Sequence, residues 1–200
     1  MTRFNKTATV VEPTYTQTRE RRTHDAWLTT GTVCVCAYTP EWQRFFQAEA
    51  TRIQTAIGSD ILDIQHIGST SVPGLAAKPI VDIGIAVANF EEAARCVQPL
   101  VALGYRYLGE NGIPRRHYFI RGEPRIFNVH MNERQSADWR QTIRFRDYLR
   151  AHPAVAATYA ELKLRLAQQF ATDFPAYRAG KDGFIKQVLQ AALADPTLLP

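Results

Sequence analysis

Apolar residues recur at helical spacing in Trp42, Phe45, Phe46, Ile53 and Ile57, between Thr39-Pro40 and Gly58. Thr39 suits a cap, Pro40 the first helical position and Gly58 a stop, so the pattern predicts a helix. Two strands are predicted next, over residues 61–67 and 79–87, joined by the loop Gly68-Ser69-Thr70-Ser71-Val72-Pro73-Gly74-Leu75. Asn89 with Glu92 three positions later forms a capping box, and the helix that follows is interrupted by Pro99 and ended by Gly104. Strands are predicted at residues 105–108, 117–121 and 125–131, the last two joined by the turn Gly122-Glu123-Pro124. Beyond Ser136 the spacing is helical in three segments, near 136–151, 153–170 and 180–194. Val155, Tyr159, Leu162, Leu166 and Phe170 form one apolar stripe, and Phe184, Ile185, Val188, Leu189 and Ala192 another. The order predicts an α+β, mixed α/β domain with a helical C-terminal part over residues 31–200.

Residues 1–30 carry no sustained period and read as a flexible polar arm rich in Thr and Arg. A further strand is predicted from Thr32, where Cys34 and Cys36 alternate with apolar residues and pack as small hydrophobes. With Cys96 they make three cysteines, too few and too odd a number for a disulfide framework. The N-terminus lacks the apolar stretch of a secretory signal, and no run reaches the ~20 residues of a membrane helix, so a cytoplasmic location is expected.

The net charge of +5 is concentrated between Val101 and Arg150, where every basic residue is Arg. Arg forks suit bidentate contact with phosphate or carboxylate, although most of these residues fit an ordinary solvated surface with ion pairs. No interleaving of aromatic and basic residues of the RNA-recognition kind is present. A nucleotide or other anionic small molecule needs only a few of these arginines and is the expected partner, with nucleic acid the weaker alternative.

The densest chemical signal runs from His66 to Asp82. Gly68 lets a backbone N–H approach a ligand closely; Ser69, Thr70 and Ser71 add hydroxyls; Lys78 adds charge. No Gly-Lys-Ser/Thr ending makes this a Walker loop. Asp82 sits inside an apolar strand, where a carboxylate needs a partner or a cation. A hydroxyl-rich turn leading to an inward Asp suits a metal-bound triphosphate; the alternative is an Asp paired with Lys78 or an Arg. His66 and His117 are open to structural or cleft roles, and His152 before Pro153 is read as a helix cap.

The His66–Asp82 run closely resembles the signature of the GrpB family, long labelled uncharacterised. Tyr38-Thr39-Pro40-Glu41-Trp42, Leu103-Gly104-Tyr105, the run Phe145 to Pro153, Tyr159-Ala160-Glu161-Leu162-Lys163 and Tyr177…Lys181…Phe184-Ile185 resemble its other motifs in order, over about residues 34–193. The resemblance implies a polymerase-β-like nucleotidyltransferase fold, and some relatives are fused to dephospho-CoA kinase. It implies an Mg²⁺-dependent transfer of a nucleoside monophosphate from an NTP to a small acceptor. Gly68, Ser69, Thr70, Ser71, Lys78, Arg116, Arg146 and Lys163 would contact the nucleotide. Asp82 and His130 would hold metal and act in catalysis. The second carboxylate position of that superfamily is Gly84, which cannot bind metal, and the later strand that usually supplies a third shows Asn128 and His130. The departure leaves a one-metal enzyme, a differently built site, or a nucleotide- or CoA-binding module without turnover.

Overall fold

The computed structural model describes residues 32–198, so the arm assigned to residues 1–30 lies outside the described residues. Helix α1 (Glu41–Ile57) is followed by β1 (Asp63–Ile67), β2 (Val81–Val87), α2 (Val97–Ala102), β3 (Arg106–Tyr107), β4 (Arg116–Arg121) and β5 (Phe127–Glu133). Four helices complete the chain: α3 (Ala137–Ala151), α4 (Pro153–Gln169), α5 (Phe174–Ala179) and α6 (Asp182–Ala194). The five strands form one mixed sheet in the order β1-β2-β5-β4-β3. Only β2 and β5 run parallel. The mixed α/β class and all five of these strands agree with the sequence reading. Among the described residues no helix is long and apolar enough to cross a membrane.

Alternation along the strands gives the sheet two unlike faces. Val81, Ile83, Ile85 and Val87 of β2, with Phe127, Val129 and Met131 of β5, join Ile53 and Ile57 of α1 and Leu100 of α2 in the main core. Buried Glu49 ties α1 to this side of the sheet by accepting from Arg121 Nη1 at 2.5 Å and Tyr105 Oη at 2.9 Å. The opposite face carries Asp82, Gly84, Asn128, His130, Arg116 and Tyr118 in cross-strand register. The C-terminal helices cover it only in part, because they have an apolar cluster of their own. Leu149, Ala156, Tyr159 and Val188 pack there with Val72 and Leu75 from the loop after β1.

Four local expectations change. No regular strand begins at Thr32: the segment is extended, with one isolated bridge from Cys36 to Ala77. Cys34 and Cys36 are half-buried, and the buried anchor of the segment is Val33, which packs with Leu166 and Tyr177. The helix after Asn89 begins as a 3-10 turn over Glu92–Cys96 before α2, and Asn89 Oδ1 accepts from the Glu92 amide at 2.9 Å. A short helix, α5, intervenes before the last segment, started by Asp173, whose side chain accepts from the Ala176 amide.

Candidate functional site

The loop between β1 and β2 is shaped by Gly68, whose φ of 69° and ψ of −174° belong to a region open essentially to glycine. A Cβ at Gly68 would stand 3.0 Å from Cβ and Cγ of Asp82, and closer still to Oδ2. The glycine therefore both turns the chain and lets the carboxylate lie against the backbone. The next three residues form a 3-10 turn, Ser69–Ser71. Most of its hydroxyls serve the fold. Ser71 Oγ donates to Gly68 O at 2.6 Å, and Thr70 Oγ1 donates to Ile80 O at 3.3 Å while it meets His66 Nε2 at 3.0 Å. Ser and Thr commonly satisfy nearby backbone in this way. Ser69 and Thr70 still line the cleft described below, whereas Ser71 does not. His66, stacked on Phe46 and bonded to Gln43, has a structural role.

Asp82 projects from the polar face of β2. Its Oδ1 accepts from Asn128 Nδ2 at 2.7 Å and lies 3.3 Å from His130 Nε2, both on the adjacent strand β5. The His130 tautomer follows from its other nitrogen. Arg116 Nη1 sits 3.3 Å from His130 Nδ1, and a guanidinium only donates, so neutral His130 carries its proton on Nε2 and donates it to Asp82. Arg116 itself is buried, held by the carbonyls of Glu110 and Asn111 and stacked 4.8 Å over Tyr118. Burial alone would raise the Asp82 pKa. The hydrogen bond and charge of His130, then the hydrogen bond from Asn128 and the charge of Lys78, hold it below the ordinary carboxylate value. His130, expected as a metal ligand, is thus turned to Asp82 as a donor with both nitrogens engaged. Among the described residues no three His, Cys, Asp or Glu side chains converge on a common point.

These groups open into a cleft of about 440 Å³ between the sheet and the C-terminal helices. Asp82 is the one carboxylate lining it among the described residues, against six basic side chains: Lys78, Arg116, Arg125, Lys163, Arg178 and Lys181. Burial, then the charge of Lys181, pushes the Lys78 amine down to about 8 and the Lys163 amine to about 7. Lys181 is also lowered, by burial and by Arg178. Phe145, Tyr159, Phe174 and Tyr177 form an aromatic wall beside them. Next to Asp82 on the same face, Gly84 is occupied space: a Cβ there would meet Ile67 Cγ2 and Trp139 Cζ3, each at 3.0 Å. A side chain at that position would require Ile67 and Trp139 to give way.

Gly68, Ser69, Thr70, Lys78, Asp82, Arg116, His130 and Lys163 are therefore brought together, and Ser71 and Arg146 fall outside. Arg146 is buried against the outer side of the loop. It donates to Gln65 Oε1 at 2.8 Å and His66 O at 3.1 Å, and chelates Asp147 at 2.7 Å. One helical turn on, Arg150 donates to Ser71 O at 2.8 Å, so the two arginines of α3 bracket the Gly68 turn from behind. Asp147 pairs with its neighbour Arg146 at close range and with Arg150 only at 3.9 Å. Arg146→Ala is expected to orphan a buried carbonyl and cost about 2–4 kcal/mol, lowering Tm by roughly 5–10 °C. A thermal melt checks this.

His117 turns away from the cleft, bonded to Tyr107 Oη and Phe90 O. His152 caps through its backbone, and its ring bonds Asp195 at 2.8 Å. The sequence reading did not select Arg125, Arg178 or Lys181 for the site. Lys181 and Tyr177 stood in a motif already noted, which was the available signal; Arg178 lies beside them on α5.

The fold and cleft define a class: a mixed α/β protein whose polar sheet face presents one carboxylate among cations beneath a helical cover. The chain belongs to the GrpB family, whose model, described as GrpB protein, matches residues 32–191. It is 42% identical over 160 residues to a UPF0157 protein of Pseudomonas aeruginosa, covering 78% of this chain and 65% of that one. It is also 42% identical over 153 residues to the UPF0157 protein YqkA of Bacillus subtilis, covering 76% of this chain and 45% of that one. The chain thus spans only part of the length of both relatives. A crystal structure of GrpB from Enterococcus faecalis is similar at a TM-score of 0.75 and 37% identity, covering 80% of this chain and 97% of that one.

Proposed function

We propose that the cleft binds the phosphates of a nucleoside triphosphate, and that the chain transfers the nucleoside monophosphate to a small acceptor with release of pyrophosphate. One observation carries this reading: six basic side chains surround a single carboxylate that lies against the Gly68 turn on the polar face of the sheet. A cleft of about 440 Å³ is the size of a small-molecule site, which favours a nucleotide over a nucleic acid. The polymerase-β-like fold and the transfer chemistry rest on the resemblance of the His66–Asp82 signature. Lys78, Arg178 and Lys181 would neutralise phosphate oxygens, and the aromatic wall would exclude water and offer a stacking surface. Arg116 and His130 would hold Asp82 in place. A resident ion does not fit this donor set. Mg²⁺ carried in on the triphosphate does, because such an ion needs only one or two carboxylates besides the phosphates. Asp82 would hold it, and the ion would shield phosphate charge during transfer.

The space taken by Trp139 and Ile67 beside Gly84 favours a second reading, a nucleotide- or CoA-binding module without turnover. Calorimetric titration with the four NTPs and with coenzyme A, each with and without Mg²⁺, separates the two. Triphosphate binding that tightens at least tenfold with Mg²⁺, followed by pyrophosphate release in an acceptor screen, supports transfer. Tight binding indifferent to Mg²⁺ favours the module, and no binding of any of these compounds overturns both.

A further inference from the structure

The chain has nineteen arginines and only five lysines, yet three of those lysines, Lys78, Lys163 and Lys181, line the cleft. An arginine serves as well or better for holding phosphate, but it stays protonated; a lysine can give up its proton and become a nucleophile. Each of the three ammonium groups lies over an aromatic ring, at 4.4 Å for Lys78 on Phe174 and 4.5 Å for both Lys163 on Tyr159 and Lys181 on Tyr177.

Lys163 is the most enclosed, at 2% exposure. Its Nζ donates to Ala76 O and rests on the Tyr159 ring, and among the described residues no carboxylate pairs with it. A buried ammonium without a counter-charge is costly, so the neutral amine is favoured. The groups facing it from neighbouring elements agree. Lys181, which leads into α6, opposes its charge; Cys36, from the segment before α1, favours it less strongly; burial keeps the phenols of Tyr159 and Tyr177 neutral. With the carbonyl and the ring taking two directions of the tetrahedral nitrogen, one remains for the lone pair.

We propose that Lys163 is a reactive amine, and that the cleft accepts a phosphorylated carbonyl compound whose phosphate lies among Lys78, Arg178 and Lys181 while its carbonyl carbon meets Lys163 Nζ. This rests on the anion-binding reading of the cleft but not on nucleotidyl transfer. The lone pair of Nζ forms the C–N bond as the carbonyl π pair moves to oxygen. The nitrogen then loses its protons, the oxygen leaves as water, and an imine remains.

The test is labelling of the wild-type chain with pyridoxal 5′-phosphate, borohydride reduction and peptide mass mapping across pH. At pH 7 an ordinary lysine is neutral in only about one molecule in 2,500. Lys163 is expected to be labelled at least tenfold more than Lys6 or Lys186, with its label rising between about pH 6 and 8 rather than near 10. Pyridoxal without the phosphate should label it at least tenfold less. Lys163→Arg removes the titratable amine while keeping a long basic side chain and should abolish the dominant label, with a melt showing that the variant is folded. Label on Lys6, Lys78, Lys181 or Lys186 with Lys163 unmodified overturns the assignment, even if triphosphate binds normally. Label on Lys163 that excess triphosphate fails to block supports the amine and counts against nucleotide binding in the same cleft.

Discussion

Asp82→Asn is expected to abolish the Mg²⁺-dependent part of triphosphate binding, at least a tenfold loss of affinity with the metal present. Without Mg²⁺ the same variant should bind the triphosphate as well or better, because a negative charge has been removed from a cleft lined by basic side chains. Opposite signs with and without metal distinguish a metal-carrying carboxylate from one that only orders its neighbours, and equal losses in both conditions would sink the metal role. The cost to the fold is moderate. The Asp82 side chain is 26% exposed, and its hydrogen-bond partners are His130 and Asn128. Weakening two hydrogen bonds to a charged acceptor costs about 1–3 kcal/mol, less than orphaning half of a fully buried ion pair. The folded-state pKa of Asp82 is depressed, so its contribution is fully present above about pH 4 and is lost as pH falls through the lowered value. Melts at pH 7 should separate wild type from variant, and the gap should narrow as pH falls below about 4.

Gly68→Ala is expected to have the larger effect on stability, about 3–5 kcal/mol. Its φ of 69° strains any side chain, and the new methyl meets the Asp82 carboxylate, which Asn128 and His130 hold in place. The chain relieves the clash by opening the turn or by pushing Asp82 off β5, and either route separates the carboxylate from the cleft. Denaturant unfolding and the Mg²⁺-dependence of triphosphate binding should fall together. A variant of wild-type stability with intact binding would show that the turn does not need glycine.

The strands were readable because each has one apolar and one polar face: the alternation of Val81, Ile83 and Ile85 against Asp82 and Gly84 gives both the strand and its inward carboxylate. The same period misled at Thr32. Alternation reports extended backbone and not a neighbour to pair with, and Cys34 and Cys36 lie on a tether whose buried residue is Val33. The Gly68 turn was legible as a cluster of donors. Whether a hydroxyl faces a ligand or its own backbone depends on carbonyl positions that the sequence does not encode locally, and Thr70 and Ser71 turned inward. Arg116 and Arg146 show the same limit: both are buried, but one lines the cleft and the other braces the loop from behind. Lys181 was missed as a site residue because an amphipathic helical segment with a charge at its start reads as ordinary surface.

The parallel pairing of β2 with β5 also sets the order in which the protein can be made. β1 and β2 emerge together and pair through a short connection, but β5 follows β2 only after α2, β3 and β4. Until then one edge of β2 presents unpaired backbone N–H and C=O groups, and an uncovered edge of that kind invites pairing with other chains. The last wall of the cleft, from α5 and the start of α6, emerges later still. Nascent chains arrested before β5 should therefore be the aggregation-prone species and the ones held by chaperones, and anion binding should appear only after Lys181 has left the exit tunnel.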